Sequence, residues 1–193
     1  MTINLKNFLS DKSKLSKMGE FQDLKPLDGL EVSSISADLY GNGRDDLALF
    51  YFKEGANYAT LTTSSSIVSE TITWNEKSNK KVIKALLVNT KNANTFTGKQ
   101  GYEAIDLVAK NLSKNLTLRE SKKEEGISET IKIKDLIFAS TGIIGEKFPV
   151  EKIVTISFVL VSPSQLIALK VFWIFFFKIF FKTFEERSAS VKI

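Results

Sequence analysis

Lys81-Val82-Ile83-Lys84-Ala85-Leu86-Leu87-Val88 runs without a break into Asn89-Thr90-Lys91-Asn92-Ala93-Asn94-Thr95-Phe96-Thr97-Gly98-Lys99-Gln100-Gly101. The first run is nearly all apolar and rich in branched side chains, which predicts a strand buried on both faces. The second is a cluster of amides and hydroxyls too polar to continue that strand. Beyond it Tyr102, Ile105, Val108, Ala109 and Leu112 recur at steps of three and four residues. That spacing puts one apolar stripe on a helix ending near Lys114. A buried strand that empties through a polar loop into an amphipathic helix belongs to a layered α/β architecture, and the carboxyl end of such a strand is where ligand-contacting loops gather.

Working outward from this unit, short apolar runs alternate with polar turns, as in a mixed α/β or α+β domain. Ile3 to Leu9 reads as a short amphipathic helix, and Lys25-Pro26-Leu27-Asp28-Gly29 as a turn. Strands are expected at Val32 to Ala37, Asp46 to Phe52, Tyr58 to Thr63 and Ile67 to Trp74, where β-branched and aromatic residues lie between Gly, Asn and Ser clusters. Ile131 to Ala139 is a further strand, and Lys122 to Gly126 a solvated loop or helix end. Fold class is therefore mixed α/β, with sheets and helices in layers.

Composition narrows the chemistry. The 193 residues include no His and no Cys, which removes Ser-His-Asp triads, cysteine nucleophiles and zinc fingers. Catalysis must come from hydroxyls, carboxylates, lysines or backbone amides. The net charge of +5 is concentrated late: residues 151–193 hold 6 basic and 3 acidic side chains. Elsewhere lysines are scattered or paired with Glu, which argues against a nucleic-acid partner. Met1 to Lys17 lacks the apolar core of a signal peptide, so nothing marks the chain for export.

Three polar segments carry candidate chemistry. Asp38 to Asp46 has the spaced oxygens of a calcium loop, but Tyr40 and Leu49 stand where oxygen ligands belong, so a Gly41-Asn42-Gly43 hairpin turn is the better reading. Asn89 to Gly101 is either a ligand-contacting loop or a loop whose asparagines cap its own backbone. Ala139-Ser140-Thr141-Gly142-Ile143-Ile144-Gly145-Glu146 follows an apolar strand, and its glycines permit close approach of an anion or a developing oxyanion. From its residues alone a plain strand-to-helix turn is the stronger reading.

Together these segments resemble the N-terminal half of the ornithine acetyltransferase family, the bifunctional glutamate N-acetyltransferases of arginine biosynthesis. The family pattern Val-Asn-Ser-Gly-Asn-Ala-Asn-Ala-Phe/Cys-Thr-Gly is matched by Val88 to Gly98, and Ala-Ser-Thr-Gly-Val-Ile-Gly-Glu by Ala139 to Glu146. Asp28-Gly29, Gly43 to Leu47 and Thr62 to Ser66 add support. The resemblance covers roughly residues 20–152. It implies an acyltransferase moving an acetyl group from N-acetylornithine, or from acetyl-CoA as co-substrate, to glutamate. Such enzymes cut themselves before a Thr, whose freed α-amino group activates its hydroxyl. The resemblance gives Thr141 and Gly142 the oxyanion hole, and implies no resident cofactor, a C-terminal half and homologous subunits as protein partners, and a cytoplasmic location.

Two departures matter. Lys91 stands where the family has Gly, a position costing on the order of 1 kcal/mol if its φ is positive. The family's nucleophile motif, Met-Ala-Pro-Asn-Met-Ala-Thr-Met-Leu, does not occur in the 193 residues. The chain also changes character near Glu151: Ile153 to Phe181 carries only Lys170 and Lys178 as charges, and residues 151–193 hold 8 of the 15 Phe. Residues 1–152 are thus expected to form an incomplete N-terminal part and 153–193 a tail translated out of frame, with membrane attachment through Leu166 to Phe181 as the second reading. On this expectation the chain is a fragment, inactive alone. The rival expectation is a non-catalytic assembly module that pairs with a separate C-terminal half or is anchored by its tail.

Overall fold

The structure, a computed structural model, describes residues 27–78, 82–123 and 130–162. Strands β1 (Leu30–Ile35), β2 (Leu47–Asn57), β3 (Val82–Asn89) and β4 (Leu136–Ser140) form one sheet in the order β1-β2-β3-β4. The first two pairings are antiparallel and β3 with β4 is parallel, Asn89 standing opposite Ser140. Helices α1 (Glu70–Lys77), α2 (Gly98–Lys123) and α3 (Val150–Leu160) complete the layers of a mixed α/β fold.

The core lies between sheet and helices. Leu47, Leu49 and Tyr51 alternate along β2, as Ala85 and Leu87 do along β3. They meet the α2 stripe Ile105, Val108, Ala109, Leu112 and Leu116. Leu112 and Leu116 are fully buried, each worth about 1.5–3 kcal/mol of apolar transfer. The stripe continues past Leu112, which is why α2 runs on to Lys123 and does not stop near Lys114. Arg119 extends it as a cation: its guanidinium pairs with Glu31 of β1 and lies 4.9 Å from the ring centre of Tyr51.

Three expectations about local structure are corrected. Ile67 to Trp74 is not a strand but leads into α1, because Ser69 caps the helix by accepting from Thr71 N–H at 3.3 Å and Thr71 and Trp74 fall on one buried face. Tyr58 to Thr63 is irregular: β2 ends at Asn57, and none of these six residues belongs to a strand of the described sheet. The strand expected from Ile131 begins at Leu136, after a 3-10 turn over Ile133–Asp135 in which Asp135 accepts from Lys132 N–H at 2.8 Å.

The β1–β2 hairpin places Gly41 and Gly43 in its connection with φ of 71° and 68°, a region open to glycine at little cost. Asp46 closes this connection from inside. One carboxylate oxygen accepts from Ala37 N–H at 2.7 Å and the other from Leu39 N–H at 2.6 Å. α3 crosses the boundary expected after residue 152 and buries Ile153, Ser157 and Leu160. None of the helices among the described residues is long and apolar enough to cross a membrane. Ile3 to Leu9, most of the Lys122 to Gly126 segment and the whole Leu166 to Phe181 stretch lie outside the described residues.

Candidate active site at the β3 and β4 carboxyl ends

Because β3 and β4 are parallel, both loops singled out in the sequence leave the sheet at the same end. They continue as a bonded pair. Thr141 N–H donates to Asn89 C=O at 3.0 Å, Ile143 N–H to Lys91 C=O at 2.8 Å, Ala93 N–H to Ile143 C=O at 3.0 Å and Gly145 N–H to Thr95 C=O at 2.9 Å. At Gly142, φ is 137° and a Cβ would overlap the carbonyl of Lys91 and come within 2.6 Å of Asn92 N. The two chains touch there so closely that only glycine fits.

The asparagines serve the loop's own backbone. Asn89, Asn92 and Asn94 are all buried. Asn89 Nδ2 donates to the carbonyls of Thr90 and Asn92, and Asn92 Nδ2 to those of Glu146 and Lys147. Asn94 Nδ2 donates to Gly101 C=O at 3.1 Å while its Oδ1 accepts from Thr97 Oγ1 at 2.8 Å. Of the two readings left open for this segment, backbone capping describes what its Asn side chains do. A loop held this tightly tolerates strain: Lys91, Asn94 and Phe96 have φ of 74°, 49° and 64°. Such conformations persist only where the surroundings over-determine them.

Thr141 is half-buried. Its N–H is engaged by Asn89 C=O, whereas its hydroxyl has no hydrogen-bond partner among the described residues. A donor from Thr141 to a ligand would therefore be the side chain, not the amide. Lys91 Nζ lies 3.6 Å from Glu146 Oε2, a loose pair across the two loops. An open groove of about 470 Å³ adjoins them, lined by Phe96, Thr97, Gln100, Leu107, Lys147 and Phe148 among others. Phe96 and Leu107 of its lining are exposed, as are Ile143 and Ile144 of the second loop.

Helix α1, taken for a strand in the sequence, is the missed contributor. Ser69 Oγ donates to Ala93 C=O at 2.8 Å, and Glu70 N–H to Asn94 C=O at 2.8 Å. Thr71 Oγ1 lies 2.8 Å from Ser140 Oγ. No local signal gives these contacts; they join residues 24 to 69 positions apart.

The mixed α/β fold is shared with solved structures. The ornithine acetyltransferase of Mycobacterium tuberculosis, solved in complex with ornithine, superposes with a TM-score of 0.64 at 20% identity over 76% of this chain and 71% of that one. The arginine biosynthesis bifunctional protein ArgJ of Bacillus halodurans gives 0.58 at 20% identity over 68% and 62%. The ArgJ family model matches residues 31–168, and the chain belongs to the ArgJ family. The arginine biosynthesis bifunctional protein ArgJ of Caulobacter vibrioides is 31% identical over 129 residues, 65% of this chain and 29% of its own length. That of Gluconobacter oxydans is 32% identical over 133 residues, 68% and 28%. The chain thus spans less than a third of the length of these curated relatives.

Proposed function

We propose that this chain supplies the oxyanion-stabilising part of an acetyl transfer from N-acetylornithine, or from acetyl-CoA, to glutamate in arginine biosynthesis. One observation carries the reading: the paired loops fix Thr141 with its amide engaged in the sheet and its hydroxyl without a partner among the described residues, beside a Gly142 that nothing larger can replace. In this reading the tetrahedral oxyanion sits against Thr141 Oγ1 and Gly142. A fixed donor of that kind is worth about 2.7–4 kcal/mol of transition-state stabilisation. The acyl-accepting Thr and its α-amino base come from the family's Met-Ala-Thr-Met-Leu segment, which occurs nowhere in the 193 residues. In this reading the two segments act together in the cytoplasm, the nucleophile segment being supplied from outside these 193 residues.

The purified chain is expected to transfer no acetyl from N-acetylornithine to glutamate. Adding a polypeptide that begins at the Thr of that segment should give turnover, and Thr141→Val should lower it by about 10²–10³-fold. Turnover by these 193 residues alone would overturn the need for that segment. Unchanged turnover in the variant would overturn the role of Thr141.

A second reading, a non-catalytic module that assembles with a C-terminal half, is favoured by the exposed Phe96, Leu107, Ile143 and Ile144 beside the loops. Co-purification of that polypeptide without turnover would select it.

A further inference from the structure

We propose that Thr71, in the first turn of α1, is a positioning residue for the turn at Thr141 and Gly142; this rests on the reading of those residues as the oxyanion hole. The orientation of every group around Thr71 is fixed. Asn94 Nδ2 faces the carbonyl of Gly101 at 3.1 Å and Asn89 Nδ2 the carbonyls of Thr90 and Asn92, so neither carboxamide can be flipped. Ser140 Oγ has one proton, which it gives to Asn89 Oδ1 at 2.7 Å. Thr71 Oγ1 must then donate to Ser140 Oγ at 2.8 Å, and it accepts from Asn94 Nδ2 at 3.3 Å. A one-way chain of hydrogen bonds results, from Thr97 through Asn94, Thr71 and Ser140 to Asn89.

Its two ends grip the site. Asn89 carries the carbonyl that accepts Thr141 N–H, and its carboxamide holds the Thr90 to Asn92 turn against which Gly142 packs. Ser140 is the residue before Thr141. Thr71 is the member of the chain that comes from neither loop, so it sets the loops against α1. Removing its hydroxyl leaves Ser140 Oγ without a donor and Asn94 Nδ2 with one acceptor fewer, in a network where a broken member is costly.

The test is amide hydrogen exchange by NMR on the full 193-residue chain, comparing Thr71→Val, which keeps the shape, with Thr71→Ser, which keeps the hydroxyl. Thr71→Val is expected to shift the Thr141 and Gly142 resonances and to speed Thr141 exchange at least tenfold. Phe138, which α1 holds independently through Asn75, should stay within twofold. Thr71→Ser should restore the Thr141 rate to within twofold. Equal acceleration at Thr141 and Phe138, or Thr71→Ser behaving like Thr71→Val, would reduce Thr71 to a general packing residue and overturn the proposal. If Thr71→Val does not fold, Ser140→Ala breaks the chain one link on, and an unchanged Thr141 rate there overturns it equally. The turnover assay of Thr141→Val fails separately: it would remove the oxyanion reading without touching these exchange rates.

Discussion

The side chain of Asn75 occupies the edge of β4 as a strand would: its Nδ2 donates to Phe138 C=O at 2.7 Å and its Oδ1 accepts from Phe138 N–H at 3.0 Å. One helical turn earlier, Thr71 meets Ser140, two residues along the same strand. A rise of about 6 Å per four helical residues matches about 6.6 Å per two strand residues, so both pairs form at once. Asn75→Ala should therefore lower stability by about 1–3 kcal/mol, the cost of leaving two half-buried backbone groups unpaired. Urea unfolding gives the magnitude. Phe138 amide exchange must accelerate with it, and a Phe138 rate unchanged from wild type would refute the edge-pairing account.

Gly142 is the position where the loops allow least. Gly142→Ala forces a Cβ into the carbonyl of Lys91, and either the loops separate or the fold is lost, at a cost above about 3 kcal/mol. Gly41→Ala is the matched control, since Gly41 also has positive φ but open space around it; it should cost only about 1–2 kcal/mol. Denaturant midpoints of the two variants decide the matter, and equal losses would mean that backbone strain, not contact between the loops, governs Gly142.

Lys91 is held at φ of 74° for a weak return, a pair with Glu146 at 3.6 Å. Such partly exposed pairs contribute about 0–1 kcal/mol. Lys91→Gly is expected to raise stability by up to about 1 kcal/mol, by releasing a side chain from the left-handed region. Lys91→Ala keeps the strain and loses the pair, so it should fall slightly below wild type. The order Gly above Lys above Ala in urea midpoints checks both terms; Ala at or above Gly would contradict the strain.

The parts of the fold legible in the sequence are those whose signals are local. β3 is a continuous apolar run and α2 a clean stripe at three- and four-residue steps, and the parallel pairing of β3 with β4 then brings the Asn89 and Ser140 loops together. The Ser-Thr-Gly turn was visible for the same reason, as a polar break after a strand. α1 was not legible, because Thr71-Ile72-Thr73-Trp74 has the β-branched composition of a strand. What makes it a helix is the Ser69 cap and the docking of Thr71 and Asn75 on β4, contacts between residues more than 60 positions apart. Tyr58 to Thr63 failed in the opposite sense: its residues suit a strand, but the β2–β3 pairing ends at Asn57 and Val82. The hydrogen-bond chain through Thr71 was hidden for the same reason as the helix that carries it.

Asp46 gives a pH-dependent test of the hairpin. Burial pushes its carboxyl above the ordinary value of 3.8, outweighing the two backbone N–H donors from Ala37 and Leu39, and the neighbouring Asp45 and Asp38 push the same way. In the pH range just above 3.8 the folded chain therefore holds a proton that the unfolded chain has released. Stability from this group is fully present below 3.8 and is lost as pH rises through its folded value. Asp46→Asn cannot titrate, and its amide turns an N–H toward one of the two donors, so it should be less stable than wild type at every pH. The gap should narrow as pH rises from 3.8, because only wild type loses the protonated form. Urea unfolding of both proteins across this range measures the gap, and the ¹³C carboxyl titration of Asp46 measures the folded value directly. A midpoint at or below 3.8, or a gap that widens with rising pH, would show that the Ala37 and Leu39 donors outweigh burial.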